Sequence, residues 1–507
     1  MLAFLADSAS HGAPVRRIDT HAASVFLVCD RALKVKRAVR FPFLDYSTLE
    51  KRKAACETEL AVNRPFAPDI YRRVVAITRE ADGRLALDGK GSVVEWAVEM
   101  RRFDETQTLD HVAERGELDA GLADTLGRAV AKAHAAAPVV DAEPWTVALA
   151  SFLDQNAAAF REVPELFPQG DADALDRASR AAFARIRPLL LERGKLGLVR
   201  RGHGDLHLGN IVLIDGRPVL FDAIEFDPLI AAGDVLYDLA FLLMDLTERG
   251  LHQAANIVFN RYLAETHRIA DLDALAALPF FLSLRAAIRA KVTAARIERA
   301  EEGARADIAQ SAKTYFRLAC DLIKPPPPLL VAVGGLSGTG KSVLARALAP
   351  GLWPAPGAVV LRSDIERKTL FGVEETTHLR ADAYAREAGI RVYGSLAEKA
   401  RRVIGAGHSA IADAVYARPD ERAAVANVAR SAQARFRGLF LTADLATRLA
   451  RIGARAHDAS DADAAVALAQ EHYALGALDW TVVDASGSPD ETLTRAQAAL
   501  AEMPAGA

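Results

Sequence analysis

Cysteine is scarce in this chain, which has three cysteines among 507 residues. Cys29, Cys56 and Cys320 show neither the C-x-x-C spacing of metal and redox sites nor the even number of a disulfide framework. This scarcity argues against a disulfide-stabilised secreted domain and against a zinc site built on cysteines. A reducing, cytoplasmic location is the simplest expectation.

Long apolar runs are missing as well. The most apolar segment, residues 241–244, lies between Asp238 and Asp245, and no run reaches the roughly 20 residues that a membrane-spanning helix requires. The first residues have no charged region followed by a long apolar stretch, so we expect no secretory signal peptide.

Neither sign of charge dominates, because the formal net charge is −3 at pH 7. The chain therefore has no global field that would recruit nucleic acid or an anionic membrane, and we expect neither as a partner. The hydrophobic content of 51% and the charged content of 25% are typical of globular proteins. The length predicts about three folding units.

The chain does contain a glycine-rich stretch that fits the phosphate-loop pattern G-x-x-x-x-G-K-[ST]. Its sequence is Gly335-Leu336-Ser337-Gly338-Thr339-Gly340-Lys341-Ser342. The apolar residues 329–333 before it predict a buried strand, and residues 343–348 predict a helix. Backbone N–H groups and the helix N-terminus would surround a phosphate, Lys341 would reach the β- and γ-phosphates, and Ser342 would hold Mg²⁺. We therefore predict a MgATP site formed by Gly335, Ser337, Gly338, Thr339, Gly340, Lys341 and Ser342.

A second phosphate-handling pattern, H-x-D-x-x-x-x-N, lies upstream at residues 203–210. This is the catalytic-loop spacing of the protein-kinase architecture, in which the Asp accepts a substrate hydroxyl proton and the Asn binds a metal. These positions are Asp205 and Asn210. A predicted hairpin with an Asp-Gly turn follows and ends at Asp222, where a kinase has its second metal-binding Asp.

The clearest boundary is the run of four prolines at residues 325–328, which cannot be helical. We predict a first module at 1–323, with a β-rich small lobe at about 15–103 and a helical large lobe at about 104–323. After the linker at 324–328, apolar runs alternate with helical patterns, which predicts a doubly wound parallel sheet in a domain at 329–507. We expect each half to fold on its own, because each motif set is complete within its segment.

Residues 15–320 resemble the aminoglycoside phosphotransferase-like kinases. The resemblance rests on segments 203–210, 221–226 (Phe-Asp-Ala-Ile-Glu-Phe) and 233–240 (Gly-Asp-Val-Leu-Tyr-Asp-Leu-Ala). It implies a mixed α+β, kinase-like, two-lobed fold with ATP in the cleft. It also implies Asp205 as the catalytic base, with Asn210 and Asp222 as metal ligands.

The same resemblance implies that Lys34 holds the α- and β-phosphates and pairs with Glu59 on a predicted helix. Lys36, on the same strand face, and the nearby Glu57 remain alternatives. Residues 21–24 replace the glycine-rich loop expected before Lys34, so phosphate cover there would depend on Ser24 and backbone N–H groups. For Asp234 and Asp238, a helix-end cap and a solvated face are preferred to catalysis.

Residues 329–500 resemble the small-molecule P-loop kinases, an α/β group that contains gluconate kinases, adenylylsulfate kinases and zeta-type toxins. Beyond the phosphate loop, the resemblance rests on segment 361–368 (Leu-Arg-Ser-Asp-Ile-Glu-Arg-Lys). It implies that Asp364 orients or deprotonates the acceptor and that Arg367 binds it. The alternative is an ordinary helix capped by Ser363 or Asp364.

Two further features of this region match the same kinases. Asp413 ends an apolar strand, at the place where they carry a carboxylate on the metal side. Arg448, Arg451 and Arg455 resemble lid arginines that neutralise the transferring phosphoryl group, and Arg451 is predicted to be catalytic. The alternative for these arginines is a solvated basic helix face.

The tandem resembles a bacterial fusion group that joins the two kinds of module. The sequence therefore predicts an ATP-dependent, Mg²⁺-requiring phosphotransferase with two unrelated nucleotide sites and small-molecule hydroxyl acceptors. One alternative is a nucleotide-sensing regulator, which residues 21–24 favour for the first module. Another is a toxin-type kinase acting on a nucleotide sugar. A fold does not fix a substrate, so the acceptors stay open.

Overall fold

The computed structural model describes residues 1–20, 22–41, 44–454 and 459–501. The chain forms two compact units, Met1–Ala159 with Arg187–Asp245, and Phe160–Ile186 with Leu246–Ala507. The proline run at 324–328 thus lies inside the second unit, and independent folding of the two halves on either side of it stays a prediction. Across the described ranges, no helix combines the length and apolar character needed to cross a membrane.

In chain order, the strands and helices have the following bounds. The strands are β1 Val15–Asp19, β2 Ala23–Val28, β3 Arg31–Lys36, β4 Arg40–Phe41, β5 Leu44–Asp45, β6 Tyr71–Arg79, β7 Leu85–Leu87, β8 Ser92–Arg101, β9 Val199–Arg201, β10 Ile211–Ile214, β11 Arg217–Leu220, β12 Ala232–Asp234, β13 Leu329–Gly335, β14 Val359–Arg362, β15 Ala410–Asp413, β16 Arg435–Thr442 and β17 Thr481–Asp484. The helices are α1 Leu2–Ala6, α2 Ser8–His11, α3 Leu49–Asn63, α4 Leu109–Glu114, α5 Ala120–Ala136, α6 Ala142–Glu162, α7 Gln169–Lys195, α8 Pro228–Ala231, α9 Val235–Glu248, α10 His252–Thr266, α11 Ile269–Asp273, α12 Leu278–Ala294, α13 Arg305–Leu322, α14 Lys341–Leu348, α15 Ser363–Leu370, α16 Arg386–Gly405, α17 Pro419–Ser431, α18 Leu445–Gly453, α19 Ala464–Gln470 and α20 Pro489–Ala501.

The first unit contains the predicted β-rich lobe. Its six-stranded antiparallel sheet has the order β1-β2-β3-β8-β6-β7, and α3 packs against β8. Helix α3 begins after Thr48, whose hydroxyl accepts a hydrogen bond from Lys51 N at 3.3 Å and so caps the helix. The sheet and α3 together hold the lysines of β3 opposite Glu59.

The predicted hairpin after the catalytic loop is also present in the first unit. Strands β10 and β11 pair antiparallel, with Ile211 opposite Leu220. Asp215 and Gly216 form the turn with φ values of 51° and 74°, the left-handed backbone that a tight two-residue hairpin requires.

The second unit contains the predicted parallel sheet, with five strands in the order β14-β15-β13-β16-β17. Strand β13 is buried along its whole length because it has a neighbour on each side and helices over the sheet. Core residues such as Val331, Ile411 and Leu439 come from its three central strands. The sheet confirms the predicted α/β architecture, although the sequence patterns missed β17.

Helices from before the proline run belong to the same unit. Phe160, Phe167 and Phe316 form an aromatic cluster with ring centroids 4.7–5.1 Å apart. Helices α12 and α13 pack along each other just before residues 324–328. The P-loop domain therefore shares its compact unit with helices that precede the linker.

A buried ion pair in the first unit provides a stability test. Arg193 Nη2 donates to Asp234 Oδ1 at 2.8 Å, and both side chains are almost fully buried. Asp234 also accepts a hydrogen bond from Leu236 N at 2.9 Å, so it has the capping role expected for it. Asp234→Ala should destabilise the unit by about 3–5 kcal/mol, because it removes the buried carboxylate that pairs with the buried guanidinium of Arg193.

Thermal unfolding followed by circular dichroism would measure this change. Glu117→Ala is the matched control, because it removes the partner of Arg115 in a largely exposed pair and should cost less than about 1 kcal/mol. Equal effects of the two substitutions would contradict the assignment of Asp234 as a buried structural carboxylate.

Candidate functional site

In the first unit, Lys34 and Lys36 of β3 both reach Glu59 of α3. Lys34 Nζ lies 2.7 Å from Glu59 Oε1 and 2.7 Å from Asp222 Oδ1. Lys36 Nζ lies 2.7 Å from Glu59 Oε2 and also pairs with Glu225. The geometry favours Lys34 as the phosphate lysine, because it contacts the predicted metal-binding carboxylate. It likewise favours Glu59, since Glu57 pairs with Lys53 at 3.6 Å on an exposed face.

This network moves the pKa values of Lys34 and Glu59 away from their ordinary values. Burial acts to lower the pKa of Lys34, but the carboxylates of Asp222 and Glu59 outweigh it and hold that pKa well above its ordinary value. Burial acts to raise the pKa of Glu59, but the two ammonium groups outweigh it and hold that pKa below its ordinary value. The site therefore keeps its positive charge and its buried carboxylate ionised around neutral pH.

The backbone around Asp222 is held in a fixed, uncommon conformation. Asp222 has a φ of 61°, in the left-handed region that Asp tolerates better than most residues. Its N–H donates to Tyr71 Oη at 3.1 Å, and the next N–H, of Ala223, donates to Asn63 Oδ1 at 2.7 Å. The Asp222 side chain is 45% exposed, so its carboxylate is available to a metal.

The catalytic loop places Asp205 and Asn210 side by side. Asn210 Nδ2 donates to Asp205 O at 2.9 Å and to Asp205 Oδ2 at 3.0 Å. This orients the amide of Asn210 and leaves its oxygen as the atom that would bind a metal. The Asp205 carboxylate is 38% exposed, with His207 Nε2 3.4 Å away, so a hydroxyl acceptor can reach it.

Asp238 of α9 holds the start of this loop by hydrogen bonds to its backbone. Its carboxylate accepts hydrogen bonds from His203 N at 2.8 Å and Gly204 N at 2.9 Å, and it contacts His134 Nε2 at 3.1 Å. The solvated face expected for Asp238 is wrong, because the side chain is buried. Two backbone N–H groups at the start of the loop can be satisfied there only by such a buried acceptor.

The region that replaces the glycine-rich loop is described in part. Ser24 Oγ donates to Asp19 Oδ1 at 2.6 Å, so its hydroxyl is bound to a neighbouring strand. His21 lies outside the described residues. Phosphate cover from Ser24 stays a prediction.

In the second unit, residues 335–342 form a phosphate loop between β13 and α14. Gly338 and Gly340 have φ values of 87° and 91°, which favour glycine. A Cβ on Gly338 would lie 2.6 Å from the carbonyl oxygen of Arg448, so this loop also requires a small residue for close packing. Lys341 Nζ donates to Leu336 O at 3.2 Å, across the loop that a phosphate would enter.

Ser342 and Asp413 are brought together as a metal site requires. Ser342 Oγ donates to Asp413 Oδ2 at 2.6 Å, and Arg362 Nε lies 3.5 Å from the same oxygen. Arg362 ends β14, and no site role was predicted for it. Only its position directly before Ser363, in the predicted acceptor-binding segment, could have indicated such a role. Its positive charge offsets that of the buried carboxylate.

Asp364, at the start of α15, lines a cavity together with the phosphate loop. Burial raises the pKa of Asp364, and the negative charge of Asp413 raises it further, against the opposing effects of Arg362 and Lys341. Arg362 is the residue at the N-cap of α15, and no side chain makes a capping bond there, so the predicted capping alternative is wrong. A carboxyl with a raised pKa at a cavity wall is suited to accept a proton from a hydroxyl.

Arg367 lies one turn further along α15. Its Nη1 donates to Ala383 O at 2.6 Å, and its guanidinium stacks 4.8 Å from the ring centre of Tyr384. Its Nε is buried and has no hydrogen-bond partner among the described residues. This unsatisfied donor beside the cavity is consistent with the acceptor-binding role predicted for Arg367.

Ser337 makes hydrogen bonds with two residues that lie outside the phosphate-loop motif. Its N–H donates to Gln470 Oε1 at 2.6 Å, its hydroxyl accepts from Gln470 Nε2 at 3.0 Å, and its carbonyl accepts from Arg448 Nε at 2.9 Å. Ser337 therefore anchors the loop in this structure, and its predicted contact with phosphate stays a prediction. No sequence pattern indicates Gln470, because a single Gln on a short helix matches no motif.

The predicted lid arginines are not a solvated face where the structure describes them. Arg448 is buried, and Arg451 donates to Ala485 O at 2.8 Å and to Gly487 O at 2.7 Å. Arg455, with His457 and Asp458, lies outside the described residues. A catalytic role for Arg451 stays a prediction.

These groups line one cavity of about 1300 Å³. Its wall includes the phosphate loop, Asp364, Arg367, Asp413, Tyr473 and Pro489. Pockets for a single small ligand usually have volumes of about 300–1000 Å³, so this cavity has room for a nucleotide and an acceptor together.

The oxygen donors in both units fit Mg²⁺. The sets are Asn210 with Asp222, and Ser342 with Asp413. Magnesium binds through one or two protein oxygens and completes its shell with water and substrate phosphates, so two donors a site suffice. Among the described residues, no group of three or more His, Cys, Asp and Glu side chains could hold a metal ion.

Two protein families match this chain in tandem. The phosphotransferase enzyme family matches residues 52–278, and the AAA domain family matches residues 330–474. Uncharacterized proteins of Mycobacterium tuberculosis (strains H37Rv and CDC 1551) and Mycobacterium bovis are 30% identical to it over 489 residues, which is 94% of each chain. The chain thus aligns with these relatives across both matched regions.

Two solved structures are each similar to a portion of this chain. A choline/ethanolamine kinase family protein from Mesorhizobium loti is 15% identical, covers 63% of this chain and 97% of its own, and gives a TM-score of 0.39. A gluconokinase from Sinorhizobium meliloti is 19% identical, covers 34% and 92%, and gives a TM-score of 0.26.

The raised pKa of Asp364 predicts a stability that depends on pH. In the unfolded chain this carboxyl ionises near its ordinary value of 3.8, whereas the folded protein resists ionisation. Ionisation therefore favours unfolding as pH rises from that value through the raised folded pKa. Asp364→Asn should raise the melting temperature at pH 7 by about 1–3 °C, and the gain should shrink towards pH 4.

Differential scanning calorimetry across this pH range would test the expectation. Asp479→Asn, at a side chain that is 81% exposed, should leave the melting temperature nearly unchanged at each pH. A lower melting temperature for Asp364→Asn at pH 7 would mean that the ionised carboxylate stabilises the fold.

Proposed function

The chain belongs to the family of two-module proteins that includes these mycobacterial relatives, with a phosphotransferase-family module before an AAA domain of P-loop kinase type, and from this membership we propose that it transfers the γ-phosphate of MgATP at two sites. It is a kinase or phosphotransferase by family. The acceptors in this proposal are small molecules with a hydroxyl group. The observation that carries it is that each compact unit groups a lysine with carboxylates, Lys34 with Glu59 and Asp222 in one and Lys341 with Asp364 and Asp413 in the other.

In the first site, the Asp205 carboxylate accepts the proton of the acceptor hydroxyl while Asn210 keeps it oriented. Lys34 binds the α- and β-phosphates and is held at that position by Glu59. Asn210 and Asp222 hold Mg²⁺, which neutralises charge on the phosphates when bound. Because transfer depends mostly on positioning and charge neutralisation, these preset contacts supply much of what the reaction needs.

In the second site, Gly335, Gly338, Thr339 and Gly340 shape the phosphate loop and Lys341 binds the β- and γ-phosphates. Ser342 and Asp413 hold the metal. Asp364 accepts the proton of the second acceptor, and the unsatisfied Nε of Arg367 binds a polar group of that acceptor. Arg451 would approach the transferring phosphoryl group only after its present carbonyl contacts are exchanged.

A nucleotide-sensing role is the second candidate for the first module. The bond between Ser24 and Asp19 favours it, because that hydroxyl is then unavailable to cover a phosphate. A sensor would bind MgATP at Lys34 and Asp222 without using Asp205. Turnover by the Asp205 variant therefore separates the two candidates.

The proposal predicts that two substitutions each remove one activity. Asp205→Asn should lower the ATP-dependent turnover of the first site by about 10²–10⁴-fold, the usual contribution of a general base. Lys341→Ala should remove the turnover of the second site. Each variant would be incubated with pools of small hydroxyl metabolites and γ-labelled ATP, and the labelled products resolved by chromatography.

Asp215→Asn is the matched control, because it makes the same chemical change in an exposed hairpin turn that tolerates Asn. It should give the parent pattern of labelled products. The products that Lys341→Ala still labels are those of the first site. If Asp205→Asn labels all of these products at the parent level, Asp205 is not the catalytic base.

A further inference from the structure

Strand β14 is at the edge of the parallel sheet and needs a partner on its open side. It pairs with β15 alone in the described sheet, and Val359 N–H donates to Ser409 O at 2.9 Å on that side. Because successive residues of a strand direct their backbone groups to opposite sides, the N–H of Val360 and the carbonyl of Ala358 point the other way. An open edge of this kind is a liability unless something covers it.

Asn260 of α10 meets both of these outward groups. Asn260 Oδ1 accepts a hydrogen bond from Val360 N at 2.7 Å, and Asn260 Nδ2 donates to Ala358 O at 3.1 Å. In a parallel ladder, one residue of the neighbouring strand makes this pair of bonds with its own backbone. A side-chain amide carries the same donor and acceptor as a peptide group, so Asn260 takes the place of one strand residue.

A second asparagine, one turn earlier on α10, extends this contact. Asn256 Nδ2 donates to Pro356 O at 3.2 Å and to Ala358 O at 3.1 Å, and Asn256 Oδ1 accepts from Asn260 Nδ2 at 3.1 Å. Between the two asparagines, the buried ring of Phe259 packs edge-on against His408, with centroids 5.4 Å apart. The helix is therefore docked by buried polar and aromatic groups together.

The covered strand leads directly into the proposed acceptor site. Strand β14 ends at Arg362, whose guanidinium lies beside Asp413, and Asp364 follows within the next turn of chain. The next residue of α10 contacts the segment that follows α15, since Arg261 Nη1 donates to Glu375 Oε1 at 2.8 Å. One helix from before the proline run thus touches the strand that precedes the acceptor-side residues and the segment that follows them.

We propose that Asn260 is a positioning residue of the second site, acting as a one-residue strand that fixes β14 and, through it, Arg362 and Asp364. The strand-partner role is independent of the proposed function, whereas the positioning role depends on it. A chain cut within 324–328 would lose this cover, so the frame of the acceptor site begins upstream of the matched AAA domain.

Hydrogen exchange in the full-length protein tests the strand-partner role. Asn260→Leu should speed exchange of the Val360 amide by roughly tenfold or more, because it leaves a buried donor without an acceptor. Exchange in the phosphate loop should stay at the parent rate, since that loop follows the central strand β13. Gln253→Leu, at an exposed position on the same helix, is the matched control and should change neither.

Asn260→Asp gives a second test. A carboxylate can still accept from Val360 N–H but has no N–H to donate to the Ala358 carbonyl. At neutral pH, Val360 protection in this variant should therefore lie between those of the parent and of Asn260→Leu. Equal protection of Val360 in Asn260→Leu and Gln253→Leu would overturn the strand-partner role.

Steady-state ATP hydrolysis, taken as the part that Lys341→Ala abolishes, tests the positioning role. In Asn260→Leu the KM for MgATP should stay within about twofold of the parent while kcat falls about tenfold, because nucleotide binding and acceptor-side geometry lie on different strands. An unchanged kcat with faster Val360 exchange would overturn positioning alone. Absence of both Lys341-dependent hydrolysis and Lys341-dependent labelled products in the parent would refute the proposed function of the second site, and the exchange result would still decide the strand-partner role.

Discussion

A site that handles phosphates must hold positive charge in place before the nucleotide arrives, and buried carboxylates do this in both units. Each carboxylate oxygen of Glu59 has a lysine ammonium group 2.7 Å away, and the ammonium group of Lys34 also pairs with Asp222. In the second unit, Asp413 binds the hydroxyl of Ser342 and faces Arg362. Charges fixed in this way need little rearrangement when a transition state forms, which is the main contribution a protein makes to phosphoryl transfer.

The loops that carry these charges are held by buried backbone contacts. Asp238 accepts two N–H groups at the start of the catalytic loop, and Gln470 binds both the N–H and the hydroxyl of Ser337 in the phosphate loop. Asn260 does the same for the edge strand β14. In each case a side chain from a helix makes hydrogen bonds with backbone groups that would otherwise be buried without a partner. These bonds hold the loop or strand in place.

The sequence was most informative where chemistry requires a residue type at a fixed spacing. The phosphate loop, the catalytic loop and the hairpin before Asp222 were predicted with the correct elements, because glycine, Asp-Gly turns and alternating apolar residues have local causes. The predicted parallel sheet and kinase-like fold were also correct. The choice between Lys34 and Lys36 could not be made, because both lie on one face of β3 and only the distant Asp222 distinguishes them.

Residues that act through tertiary contacts left no local pattern. Gln470 and Asn260 lie on helices whose sequences show nothing unusual at those positions, and their partners are 133 and about 100 residues away. The buried position of Asp238 has no local signal, because the helical periodicity is ambiguous in an almost wholly apolar segment. Arg362 likewise has none, because a charged residue at a strand end is common.

The central claim is that one chain binds two nucleotides at chemically distinct sites. Calorimetric titration of the full-length protein with Mg²⁺ and a non-hydrolysable ATP analogue would measure it most directly. The account predicts a stoichiometry near two for the parent, near one for Asp222→Asn or Lys341→Ala, and no binding for the double variant, if the sites are independent. A parent stoichiometry of one that Lys341→Ala alone abolishes would contradict the account, because Lys34, Asn210 and Asp222 would then not form a nucleotide site.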